Sequence, residues 1–474
     1  MPAKTIAWLL RWHMRSGMVV SVAIIGWGLS GMAHPILANF NPRPAAMSLP
    51  LEDFPTARLR SPVELVEGLE LGVVSALRLV NWQRPVYRLE SVAGVQWRDA
   101  ITGEEIADGE RDYAIMLARH YLGDSDSAVI SVSRQHRFDG EYVFINRLLP
   151  VWKVVFQRDD GARVYVDTES GRLAAIVNDN KALATAFFRN VHSWVFIRNE
   201  ALRHGLMLLF LAGGALVGIA GIVQYSLMRR RGRSGREGRS TPMRNWHRRL
   251  GIVVSLSVVT FTVSGSWHLL QKHNGAQVVG VEPWAFPLAS MQLDWLQTGA
   301  SVTQAELVSV GGQPYFRVWA DRTLRYVHAG TGAELEGGEE RHALELAAAY
   351  AGEPAEAFAA EVVGVRTVNE FGGEYGFVNK RLPVIAVDRS DPAATSYYVE
   401  PRSGALAAVV RNSDRAEGWS FAWLHKWHFL DGLGKTTRDT VAAVFALGIA
   451  LTFALGVALY GRRISRRRGQ VQRR

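Results

Sequence analysis

The sequence predicts a membrane α-helical protein: four transmembrane helices, arranged as a tandem duplication of two-helix halves, carrying two extracytoplasmic α+β domains. Three observations predict it. Four uncharged apolar stretches reach spanning length, arginine clusters flank them in a consistent sense, and most of the chain repeats at an offset of 233 or 234 residues. With 474 residues, 48% apolar content and a mean hydropathy of +0.01, the chain is too polar to be all membrane. Its apolar residues are also gathered into too few places for it to be all soluble.

The elements follow in order. Residues 1–16 are a cytoplasmic start with Lys4, Arg11 and Arg15, and span 1 covers 17–34, bracketed by His13 and His34. An outer domain covers 35–200, span 2 covers 205–228, and a basic loop reading RRRGRSGREGR opens the segment 229–246. Span 3 covers 247–270, a second outer domain 271–438, span 4 439–460, and a basic tail 461–474. Each span is close to the ~20 apolar residues that a bilayer core demands, and each carries small residues that let membrane helices approach closely. The positive-inside rule puts the three basic clusters, and therefore both termini, in the cytoplasm. The net charge of +10 is then mostly topology. The basic runs abut spans and lack interleaved aromatics, so no nucleic-acid partner is expected; membrane lipid is. The absence of cysteine fits an oxidising periplasm. Span 1 is expected to be retained rather than cleaved as a signal peptide, because Trp12 and His13 recur as Trp246 and His247 before an interior span.

The repeat is extensive. RWHMRSG (11–17) answers NWHRRLG (245–251), GEYVFINRLLP (140–150) answers GEYGFVNKRLP (373–383), and SGRLAAIV (170–177) answers SGALAAVV (403–410). Both copies start inside and contain two spans, so they share one orientation about an axis along the membrane normal. In the outer segments, 108–121 and 338–350 show helical spacing of apolar residues, while RVYVDTESGRLAAIV and SYYVEPRSGALAAVV alternate and turn at Ser-Gly, as hairpins do. TGEEI after Arg98 and TGAEL after Tyr326 suggest a further hairpin in each copy. These are small α+β modules, one large or two small per half. The GEY-x-F-x-N segments are expected to be paired strands or a substrate-facing edge.

Six histidines recur in two matching sets, His13, His34 and His192 against His247, His268 and His425. His13 to His34 is 21 residues, as is His247 to His268. As helix at ~1.5 Å per residue this spans roughly 31 Å, about one hydrocarbon core, so each half places an imidazole near each face. Haem iron takes axial imidazoles well, and two neutral histidines on facing helices favour electron transfer over oxygen binding. A bilayer is too thick for one fast tunnelling hop, so two haems stacked across it are expected. His13 and His247 are the expected ligands of the inner one. For the outer one, His34 with His268 is the symmetric choice, while His192 and His425 precede the second and fourth spans, and pairings across copies are equally open. His204, at the start of span 2, and His428, three residues after His425 on the same helical face, are weaker candidates. His120, His136, His273, His328 and His342 are expected to be solvated or locally bonded. Trp8, Trp12, Trp194, Trp246, Trp267, Trp423 and Trp427 fit interfacial aromatic belts, with packing on a porphyrin edge the alternative for Trp12 and Trp246.

With WHMRSG and WHRRLG opening a span, spans ending in SGMAHP and SGSWH, the YYVEPRSGAL hairpin and FAWLHKWHF before the last span, the chain resembles the PepSY-associated transmembrane helix proteins. The resemblance covers nearly the whole length. It implies a bacterial inner-membrane protein with periplasmic PepSY-like domains, often linked to iron uptake, some members being haem-binding siderophore reductases. A ferric siderophore or other ferric complex is then the expected periplasmic acceptor. No G-x-G-x-x-G follows a strand, so electrons would come from a quinol or a separate reductase. No Ser-His-Asp set, HExxH or phosphate loop is evident, which argues against a hydrolase. Two other readings accompany this one. An accessory component of a transport system would relay protons or metal through intramembrane histidines, and predicts charged residues within spans, of which there are none. A PepSY-based protein that restrains a peptidase or senses the envelope would carry no cofactor.

Overall fold

The computed structural model describes residues 3–38, 40–49, 53–55, 58–61, 64, 73–82, 84–230, 241–281, 284–287, 291, 301–321 and 323–471. Most of the expected basic loop, 231–240, and the last three residues of the tail lie outside these. In chain order the helices are α1 (Ala3–Ala38), α2 (Gly109–Leu122), α3 (Asp179–Val191), α4 (Glu200–Arg230), α5 (Pro242–Gln271), α6 (Gly338–Ala351), α7 (Ala355–Ala360), α8 (Asn412–Ser420) and α9 (Lys435–Val471). The chain divides into two units, Met1–Asn41 with Asn180–Gly275 and Ser413–Arg474, and Pro42–Asp179 with Ala276–Asn412. The second unit is thus shorter at its ends than the outer segments expected from sequence.

In the first unit α1, α4, α5 and α9 are each long and apolar enough to cross a membrane, which suggests a membrane protein. Only 22–33% of each apolar window is buried inside the protein. The remaining surface is apolar side chain that water would not solvate favourably, and a helix satisfies its own backbone in lipid. α1 packs on both α4 and α9, and α5 packs on the same two, so α1 and α5 stand at opposite corners of a four-helix ring. Val20, Ile24, Val217, Val254, Val258, Ile449 and Phe453 fill its middle. Small residues set the spacing: a Cβ on Gly28 would meet the Ala446 carbonyl at 2.8 Å, and one on Gly214 would meet Ile24 at 2.8 Å.

The second unit holds the sheets. Its strands are β1 (Phe54–Pro55), β2 (Val73–Val74), β3 (Ala76–Asn81), β4 (Pro85–Ser91), β5 (Gly94–Asp99), β6 (Val129–Gln135), β7 (Val151–Phe156), β8 (Arg163–Asp167), β9 (Arg172–Val177), β10 (Phe286–Pro287), β11 (Ser301–Val310), β12 (Gln313–Ala320), β13 (Thr323–His328), β14 (Val362–Val368), β15 (Val384–Arg389), β16 (Ser396–Glu400) and β17 (Ala405–Val410). Each copy contributes a four-stranded antiparallel meander, β6–β9 and β14–β17, holding the two predicted Ser-Gly hairpins. The three-stranded meanders β3–β5 and β11–β13 do not stay separate. β3 pairs with β11, Arg78 opposite Glu306 and Leu79 opposite Ala305, giving a continuous order β13-β12-β11-β3-β4-β5. The strand period explains the division of faces. Leu77, Leu79, Tyr87 and Leu89 join Phe316 and Val318 in a core shared by both copies. Val86 and Trp97 on the other face pack with α2 and with β7–β9.

Each copy is therefore one module, because a single helix serves both of its sheets. α2 and α6 form where sequence predicts, acidic in the first turn and ending at Gly123 (φ 68°) and Gly352 (φ 71°), left-handed caps that a Cβ would strain. The TGEEI and TGAEL segments close as tight turns with single bridges, Arg98 to Glu105 and Val327 to Glu334, rather than full hairpins. Ion pairs join the copies across this unit. The Glu400 carboxylate, 1% exposed, bonds Arg172 of the first copy and Arg381 and Ser403 of the second.

The GEY segments are not paired strands. Each is a loop around a 3-10 turn, Phe144–Asn146 and Phe377–Asn379. Side chains hold it in shape: Tyr142 donates to the Leu148 carbonyl at 2.7 Å, and Tyr375 to that of Arg381 at 2.8 Å. The same rings stack on Tyr165 and Tyr398, whose hydroxyls donate to Glu141 and Glu374. The repeated glutamate and tyrosine are thus the footing of a loop.

Candidate functional site

α1 carries His13 and His34 near its two ends, and α5 carries His247 and His268 in the same way. At the first end the rings lean on the next membrane helix of their own copy. His247 Nδ1 lies 2.9 Å from the Thr452 carbonyl on α9. A carbonyl only accepts, so Nδ1 carries the proton and Nε2 keeps its lone pair. His13 lies against the carbonyl of Val217 on α4, the equivalent position, and its buried Nδ1 completes no hydrogen bond. Glycine makes the approach possible in both places. A Cβ at Gly456 would stand 3.3 Å from His247 Cε1, and one at Gly221 would stand 3.8 Å from His13 Cε1. The two rings are near enough for a charge on one to act on the other.

At the other end four repeat-matched histidines gather: His192 is within electrostatic reach of His425, His34 and His268. His192 Nδ1 lies 3.0 Å from Ser30 Oγ, and His425 Nδ1 lies 3.1 Å from Ser264 Oγ. Each serine donates its own proton one turn back, to the carbonyls of Trp27 and Phe261. With the serine proton on the helix carbonyl, the oxygen offers lone pair and the imidazole can donate from Nδ1, which leaves Nε2 free. Both serines are buried, at 0% and 1% exposure, so water does not compete for these bonds.

Aromatic rings fix the planes of these imidazoles. His192 stacks on Phe188 at 4.5 Å and 12°, and His425 on Phe421 at 4.7 Å and 13°. The same phenylalanines touch His34 at 5.0 Å and His268 at 4.6 Å. Two residues on, Trp194 and Trp427 both take positive φ, 53° and 58°. This unusual backbone turns each indole inward, Trp194 onto Trp27 at 5.2 Å and Trp427 against Phe261 and Phe445. Trp427 is buried, so the belt reading fails for it, whereas Trp8, Trp246, Trp267 and Trp423 are exposed as a belt requires. In the second copy the segment Phe421–His425 is a π-helix, whose wide turn is common at functional positions.

The copies also differ beside the outer rings. His268 Nδ1 lies 2.6 Å from Glu417, while Ala184 stands at the matching position of the first copy, beside an exposed His34. The weaker candidates have partners of their own. His204 is buried with its Nε2 3.8 Å from Glu200. His428 bonds Asp431 at 2.8 Å. The left-handed backbone at Trp427 ends the helical run, so His428 does not share a face with His425. Among the other histidines, His120 meets the Ser48 carbonyl, His328 accepts from the amides of Gly330 and Thr331, and His342 is buried against the Tyr326 hydroxyl.

Sequence reasoning found the six rings and missed Ser30, Ser264, Phe188 and Phe421. The signal was present: Ser30 and Ser264 open the repeated SG-x-x-H groups, four residues before His34 and His268. In comparison with known proteins the chain matches no family model and no curated protein, so its function is argued from the chemistry of these rings.

Proposed function

We propose that this chain is a haem b-containing oxidoreductase of a bacterial inner membrane, carrying electrons outward across the bilayer to a ferric complex such as a ferric siderophore. One observation carries the reading. His247, His192 and His425 each have Nδ1 beside a protein oxygen, and the buried Nδ1 of His13 is unbonded, so all four can offer a neutral Nε2. Metal-bound histidines have this arrangement, in which the far nitrogen donates to a carbonyl, carboxylate or hydroxyl. The residues fit haem: paired imidazoles, ring-side glycines at Gly221 and Gly456, and the orphaned buried nitrogen of His13.

His13 and His247 would hold an inner haem, and His192 and His425 an outer one, with His34 and His268 beside it. When bound, the haem iron supplies reversible one-electron chemistry. The chain's own groups hold the ligands ready: Ser30 and Ser264 keep the proton on Nδ1, Phe188 and Phe421 hold the ring planes, and Trp27 donates from Nε1 to the His192 carbonyl at 2.9 Å. The basic clusters support cytoplasmic termini and periplasmic PepSY-like domains. The motifs shared with PepSY-associated membrane proteins support the same reading. A quinol or a separate reductase is the donor class.

The test is the visible spectrum of the detergent-purified protein. Sharp α and Soret bands on reduction, diminished in His13→Ala and in His192→Ala, are expected, as is reoxidation on anaerobic mixing with ferric complexes. A colourless preparation after expression with ample haem overturns the proposal and leaves a cofactor-free PepSY-type binding or regulatory protein as the better account.

A further inference from the structure

The two GEY loops hold their shape with glutamate and tyrosine, and that leaves their tips unexplained. Phe144, Ile145 and Phe377 are 63%, 53% and 67% exposed. They contribute little to any core, yet Phe and a following cation stand in both copies, Phe144 with Arg147 and Phe377 with Lys380. Both cations sit in the left-handed region, φ 66° and 65°, where a side chain is uncommon and the backbone strained. Each closes its 3-10 turn with an amide bond to the phenylalanine carbonyl, and each stands over the phenylalanine ring, at 5.0 Å and 5.5 Å. The two turns are in contact with one another.

These cations lack what several other basic groups of the second unit have. Arg163, Arg172, Arg317, Arg381 and Arg389 all bond carboxylates. Arg147 and Lys380 have no acidic partner among the described residues, and burial alone lowers the pKa of each. Two like charges thus stand on adjoining turns without a counter-ion, framed by exposed aromatic faces. Like charges held close together repel unless an anion completes the site.

We infer that the adjoining tips of the two GEY loops, Phe144 with Arg147 and Phe377 with Lys380, form one binding site for a small anionic ligand bearing aromatic rings. The cations supply the charge complement, and the phenylalanines supply faces on which a flat ring can stack. A multiply charged catecholate metal complex has this chemistry. That such a ligand is the electron acceptor rests on the proposed function; that it binds here does not.

The experiment is isothermal titration of the full chain in detergent with gallium(III) tris(catecholate), which cannot be reduced and so reports binding alone. Saturable binding that weakens with added salt is expected. The Arg147→Asn/Lys380→Asn pair, which keeps residues tolerant of positive φ, should weaken it about tenfold or more, and Phe144→Ala/Phe377→Ala should also weaken it. Arg147→Lys should retain most of it. Absence of binding, or equal affinity in the charge-removed pair with an unchanged thermal melt, overturns the inference. So does equal displacement by inorganic phosphate or by phosphatidylglycerol micelles, since neither anion carries a ring. A colourless protein that binds the gallium complex would sink the haem reading and leave this one standing, and a coloured protein that does not bind would do the reverse.

Discussion

Ser30 and Ser264 show how one hydroxyl decides what an imidazole can do. Each is within hydrogen-bond distance of a carbonyl of its own helix, and a proton placed there leaves lone pair for a histidine from a neighbouring segment. Alanine removes that acceptor and little volume. Ser30→Ala and Ser264→Ala are therefore expected to lower haem affinity about tenfold or more, in line with other residues that orient metal ligands, without loss of the fold. Titration of haem into apoprotein, with the α-band and midpoint potential followed, checks this; unchanged affinity and potential in both variants would remove the serines from the mechanism. At this scale the sequence was informative about which rings are paired between the copies, because the duplication marks them. It was silent about which partner each nitrogen finds, since a serine in an apolar helix most often bonds only its own backbone.

Helices and loops differ in how openly the chain announces them. The four long helices are legible as apolar length, and α2 and α6 as helical spacing with a glycine stop. The GEY loops misled because their aromatic and apolar residues suit a strand, while the hydroxyls of Tyr142 and Tyr375 fasten a turn. Between helices, close approach is the property to test. Gly28 faces the α9 backbone, with the Ala450 Cβ 3.1 Å from where its own Cβ would be. Gly28→Leu must push α1 away from α9, at a cost of about 1–3 kcal/mol from overpacking. A thermal melt in detergent should show a lower midpoint than wild type, and an unchanged melt would mean that these helices are not held together there.

At the scale of the whole molecule, the striking of a boundary between repeats does not coincide with a boundary between bodies. The edge pairing of β3 with β11, the shared core around Phe316 and Leu79, and the Glu400–Arg172 pair all join one copy to the other. None of this was legible, because edge complementarity between segments more than two hundred residues apart leaves no local pattern. Residues 1–230 expressed alone should then aggregate or remain protease-sensitive, with β3 an open edge. Co-expression with residues 241–474 should restore a protease-resistant pair; a soluble, resistant first half by itself would show that each copy suffices.

The β3–β11 pairing also sets a clock. β3 ends at Asn81 and β11 begins at Ser301, so 220 residues separate the two partners. At roughly 5–20 residues per second of synthesis, the first edge waits on the order of 10–40 s for its proper neighbour. During that interval its unpaired amides and carbonyls are open to any other extended chain, and the yield of correctly folded protein depends on whatever shields a single strand until the second half of the message has been read.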